Sequence, residues 1–193
     1  MSPFPLGIVA SARRASAGGV LPTFRQVTTP TNSAGVSTVT AANIGPASAN
    51  RTVIVAATSW SAGARLIYGV TIGGMSATLD ALATSRAGPS TIASLNVPTG
   101  TTADIVVTSN DNSTPFSVAV WTVDGILTVA STHVPAMYGS GTTAMSLTLP
   151  TTLADGFAIA AYRSRAGART TTWAGVTEDY DSGTAQPYSG ASG

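Results

Sequence analysis

At 193 residues with 44% apolar side chains, the chain is long enough for one domain with a buried core. Only 9% of residues are charged, all nine basic residues are arginine, and a net charge of +1 argues against nucleic acid or anionic membrane as a partner. The absence of cysteine excludes disulfides, thiolate metal centres and cysteine nucleophiles, and no run reaches the roughly 18 apolar residues of a membrane span.

The chain opens MSPFPLGIVASARRASAGGVLPTF. A secretory signal places positive charge first, then an apolar run, then a small-residue cleavage site. Here Pro3 and Pro5 come first, a short apolar run follows, and Arg13 and Arg14 come last, which is the reverse order. Residues 1–34 are expected to form an extended arm without a core of its own, with residues 1–24 ordered against another protein. The prolines limit the entropy lost on docking. Phe4, Leu6, Ile8 and Val9 supply apolar anchors, and Arg13 and Arg14 supply directed hydrogen bonds to carboxylates or carbonyls of a neighbour.

From residue 35 onward, segments rich in Val, Ile, Thr and aromatics recur every 8–12 residues between Gly, Pro, Asn, Asp and Ser clusters. Strands are predicted at 35–42, 51–59, 65–72, 75–84, 91–97, 102–109, 116–123, 127–134, 143–149, 156–163, 169–174 and 176–181. Alternation puts Ala103, Ile105 and Val107 on one face, and likewise Met145, Leu147 and Leu149. FSVAVWTVDG is apolar on both faces and reads as a central strand covered on each side. The expected core holds Ile54, Val55, Ile105, Val107, Val118, Val120, Leu147 and Ile159. Gly73-Gly74 reads as a tight hairpin, because glycine takes positive φ at low cost. Pro98-Thr99-Gly100 and the Asn110 to Ser113 stretch read as loops, the latter as an Asx turn. Residues 53–71 and 157–177 share the pattern strand, Ala-Gly-Ala-Arg, strand, Gly-Val-Thr, which implies two equivalent hairpins.

Little in the chain carries chemistry. His133 is the only histidine, lies before a proline in ASTHVPAMYG, and has no nucleophile motif around it. Glu178, Asp179 and Asp181 in VTEDYDSG form the strongest metal candidate, since calcium takes several hard oxygens from one loop. Their spacing matches no calcium loop, and adjacent exposed acids do not make glycosidase machinery. Trp60, Trp121 and Trp173 could stack sugars, but their places in apolar strands favour packing. Asn50-Arg51-Thr52 and Asn112-Ser113-Thr114 are formal glycosylation sequons without an export signal. No catalytic residue, cofactor or obligatory metal is expected. A surface of hydroxyls and small residues, with little charge repulsion, suits a chain packed against neighbours.

The order of RTVIVAATSW, YGVTIGGMSATL, IASLNVPTGTTADIVVTSN and VAVWTVDGI, followed by WAGVTEDYD and YSGASG, resembles a family of tailed-phage and prophage virion proteins. The likeness covers roughly residues 50–193. VTIGG also occurs in immunoglobulin-like TIG domains. The strand pattern and the resemblance together imply an all-β fold, a jelly-roll-like or immunoglobulin-like β-sandwich over residues 35–193, and the residues before it read as the extended N-terminal arm. In the family pattern a further strand follows YSGASG, so either a partner supplies that edge or the chain continues past Gly193. The implied role is structural or at the surface of a virion, as head decoration, head fibre or tail component. The leading expectation is a non-enzymatic protein decorating or cementing the capsid surface through its N-terminal arm and β-sandwich. Its implied partners are the major capsid protein, tail or portal components and other copies of itself. A tail-fibre domain binding a receptor or glycan is the second reading, and a bacterial surface adhesin module the third.

Overall fold

The computed structural model describes residues 6–15, 21–59, 65–83, 89–110, 112, 115–125, 127–138, 156–163, 171–182 and 188–192, and these residues hold strands and no helix. The first strands in chain order are β1 (Leu6–Ala15), β2 (Thr23–Thr28), β3 (Asn32–Ser33), β4 (Val36–Asn43) and β5 (Arg51–Thr58). Next come β6 (Ile67–Ile72), β7 (Met75–Ser76), β8 (Thr78–Ala83), β9 (Ser90–Asn96) and β10 (Thr102–Ser109). The last are β11 (Ser117–Asp124), β12 (Leu127–Tyr138), β13 (Gly156–Arg163), β14 (Thr177–Asp181) and β15 (Tyr188–Ser192).

Three five-stranded antiparallel sheets result. The central sheet runs β2-β11-β5-β9-β8, the flank sheet β3-β4-β10-β6-β7, and the terminal sheet β12-β1-β13-β15-β14. The two-residue period of a strand explains the stack. Val53, Val55, Ala57, Val118 and Val120 meet Ile72, Ile105 and Val107 of the flank sheet. Ile54, Ala56, Ala119, Trp121 and Val123 project the other way, onto Phe157, Ile159 and Ala161 of the terminal sheet. The expected sandwich is therefore present with a third layer added, and β11 is covered on both faces as its composition requires. Ile54, Val55, Ile105, Val107, Val118, Val120 and Ile159 are each no more than 1% exposed. Leu147 and the strand at 143–149 lie outside the described residues.

Several expectations change. Residues 171–176 are irregular rather than a strand, and the run at 75–84 breaks at Ala77 into β7 and β8. The first repeat copy is not a hairpin, because β5 and β6 lie in different sheets. The reason is edge occupancy: β5 already pairs with β11 and β9, so no edge remains for β6. What the copies share is position. β5 and β13 each stand third of five in their sheets, with both edges taken. Four strands went unread in the sequence: β1, β2, β3 and β15. Gly73 and Gly74 do form the tight turn, at φ 59 and 79, between Ile72 and Met75.

Arg51 opens β5 and is fully buried. Its Nε donates to the Val97 carbonyl at 2.9 Å, and Nη1 to the Gly45 and Pro46 carbonyls at 2.7 and 2.6 Å. Nη2 donates to the Thr99 carbonyl at 2.7 Å. One side chain thereby ties the loop before β5 to the loop after β9. Burial lowers its pKa from the ordinary arginine value, with Arg25 acting in the same sense and Asp124 opposing. Arg163 makes a second cross-layer tie, donating from Nη1 to Ser117 Oγ at 2.8 Å and to the Thr58 carbonyl at 3.3 Å.

Phe24, Trp121 and Tyr180 form an aromatic cluster with centroids 5.5–5.9 Å apart, joining central and terminal sheets. Tyr180 lies over Gly190, its cross-strand partner, so a Cβ on residue 190 would overlap the ring. Gly190→Ala should therefore displace Tyr180 and cost about 1–3 kcal/mol. The checks are a lowered melting midpoint and a changed near-ultraviolet dichroism of Trp121; an unaltered spectrum at wild-type stability would contradict it.

Candidate interaction surface

The flank sheet turns Ile105, Val107, Val70 and Ile72 inward and presents the alternate positions outward. On that outer face stand Thr38, Thr40, Thr102 and Thr108, with half-buried Val106 and Thr71. Val36, Tyr68 and Met75 are 39%, 62% and 49% exposed, and Leu66 beside them is 39% exposed. Asp104 is the one charged residue among the outward positions of β4, β6, β7 and β10, and its Oδ1 accepts the Ala41 N–H at 2.8 Å. Ala41 needs that partner, because it holds a positive φ of 50 in a β-bulge. The result is a face of hydroxyls and scattered apolar side chains on which Asp104 is the one charge.

Beside this face, between β2 and β4, runs an open groove of about 580 Å³ lined by Gln26, Thr28, Pro30, Thr31, Ser33, Thr38 and Thr40 among others. Gln26 Oε1 accepts the Asn43 N–H at 2.8 Å across its end, joining the edges of two sheets. The lining is neutral and rich in hydroxyls.

The acidic triplet is divided. Glu178 is exposed, while Asp179 Oδ2 accepts the Trp121 Nε1–H at 2.8 Å and Asp181 Oδ2 accepts the Thr171 N–H at 2.7 Å. The two-residue period of a strand already sets Glu178 on the face opposite Asp179 and Asp181, and a register shift between Glu178 and Tyr180 interrupts that period. Among the described residues no three His, Asp or Glu side chains stand close enough to hold a metal ion. Trp121 is buried in the aromatic cluster, and Trp173 is half-buried with its Nε1–H on Ser189 Oγ at 2.7 Å. Trp60 lies outside the described residues. His133 sits within β12 opposite Ser11. Asn110 reaches across the sheet end, where its Oδ1 accepts the Leu66 N–H at 2.7 Å, and Asp111, the centre of the expected Asx turn with Asn110 and Asn112, lies outside the described residues.

The N-terminal stretch is placed in the terminal sheet. Leu6, Ile8, Val9, Arg13 and Arg14 all belong to β1, which pairs with β12 on one edge and β13 on the other. Phe4 lies outside the described residues. β15, from the YSGAS segment, pairs on both edges, with β13 and β14. The sequence held one signal for the buried arginine, a lone charge opening the apolar run RTVIVAAT. It held none for the outer face of the flank sheet, which needs the sheet order.

No protein-family model matches this chain, and a comparison with curated proteins finds no significant match.

Proposed function

We propose that this chain is a non-enzymatic structural protein of a tailed-phage virion, decorating or cementing the capsid surface. The observation that supports this best is the outer face of the flank sheet. A face with Tyr68, Met75, Leu66 and Val36 exposed among threonines, and only Asp104 charged, fits a neutral protein surface better than a charged polymer. The order of sequence motifs supplies the virion setting. The partner is then the major capsid protein or a tail or portal component, approached with other copies of the chain.

The test is to compare incorporation of wild-type chain and of Tyr68→Glu with Met75→Glu into particles, with imaging of the intact particle to place the protein. Both side chains are exposed, so melting should stay within about 0.5 kcal/mol of wild type. Incorporation should fall steeply. Equal incorporation of the double variant, or absence of the protein from the head surface, would refute this reading. The hydroxyl-lined groove between β2 and β4 favours one alternative, a tail-fibre domain taking a neutral glycan. Retention of the chain on a glycan array, abolished by Thr38→Val with Thr40→Val, would support that alternative.

A further inference from the structure

We infer that β1 is an exchangeable strand, and that the slot it fills accepts the same segment of a second copy of this chain. Topology defines the slot. β12 and β13 are both antiparallel to β1, hence parallel to one another, and they share no ladder. β1 joins them through its two edges, from Leu6↔Tyr138 to Ala15↔Leu127 on one side and from Gly7↔Arg163 to Arg14↔Gly156 on the other. Among the described residues β12 has no other strand partner, so all twelve of its residues are attached to the sheet through β1.

An exchanged strand would make the same pairs in the same register. Only the course of one connector, residues 16–22, would differ between a closed chain and an exchanged pair. That connector reads SAGGVLP, and Gly18-Gly19 gives its backbone access to both courses. A net charge of +1 adds little repulsion between copies. Where copies are packed side by side, a neighbour's strand competes at the high effective concentration that proximity sets. A second copy is the occupant because the register is written in this chain's own sequence. The property belongs to the purified chain, whatever particle it joins.

The test uses the full chain, whose lack of cysteine leaves no background. Ala10 stands opposite Ala160 across the ladder, at a separation a disulfide can span. Chains carrying Ala10→Cys alone and Ala160→Cys alone are co-expressed, so that they fold together, then oxidised and run without reductant. A second pair, Ala12→Cys with Ala158→Cys, repeats the measurement should the first perturb folding. Asn43→Cys with Thr102→Cys, an exposed pair between β4 and β10, measures random collision. Exchange requires a disulfide-linked dimer in several-fold excess over that control. The inference fails if the mixture gives no excess while a chain bearing both Ala10→Cys and Ala160→Cys closes within the monomer. It fails equally if neither pair cross-links in any combination.

Discussion

Arg51→Met should destabilise the fold by about 3–5 kcal/mol, measured as a lowered midpoint in urea. Methionine fills much of the volume but removes every donor, leaving the carbonyls of Val97, Gly45, Pro46 and Thr99 without their charged partner. Stranded carbonyls near a core cost about 1–3 kcal/mol each when water cannot replace the donor. The loops at 44–50 and 97–101 hang on the same guanidinium, so they should lose protection from hydrogen exchange together. Arg51→Lys should recover only part of the loss, because one ammonium cannot reproduce a planar fork serving four acceptors. A lysine variant as stable as wild type would show that charge alone suffices.

Val120→Asp should abolish cooperative folding altogether. Val120 is 0% exposed, lies in β11 of the central sheet, and faces the cluster formed with the flank sheet. A carboxylate there has no water and gains no designed partner, and the several kcal/mol this costs rival the whole stability of a domain, about 5–15 kcal/mol. The same substitution at Thr108, on the exposed face of β10, should change stability by no more than about 0.5 kcal/mol. Soluble expression and a thermal melt of both variants separate burial from charge as the cause. A cooperative melt for Val120→Asp near the wild-type midpoint would overturn the placement of β11.

β11 was legible as a central strand for a definite reason: it is apolar on both faces, and only a strand lying between two layers tolerates that. β5 was legible as a strand, and its burial on both faces has the same cause. β10 and β13 were legible to the residue, the first from clean alternation and the second from its continuous apolar run. β1, β2 and β15 were not. LGIVASARRA mixes small and charged residues, TFRQVT is half-buried along an edge, and YSGAS contains no β-branched side chain. Their pairing comes from partners far away in the chain, which no local pattern encodes. The repeat at 53–71 and 157–177 misled for a related reason: similar strands were present, but edge occupancy decided what each could pair with. The acidic triplet was visible as composition, whereas the partners that divide it, Trp121 for Asp179 and the Thr171 N–H for Asp181, come from the tertiary fold.

The terminal sheet also imposes a timetable on synthesis. β1 is made well before its partners: β12 begins only at Leu127 and β13 only at Gly156. At about 5–20 residues per second, β1 waits roughly 6–22 s for the first of its neighbours. β5, by contrast, waits roughly 2–6 s for β9, so the β5-β9-β8 part of the central sheet can pair early, while β2 joins it only once β11 is made. During that interval the first strand is an unpaired β segment among other nascent chains on the same message. Arg13 and Arg14 stand side by side in a strand otherwise free of charge, and charge within such a segment opposes its aggregation.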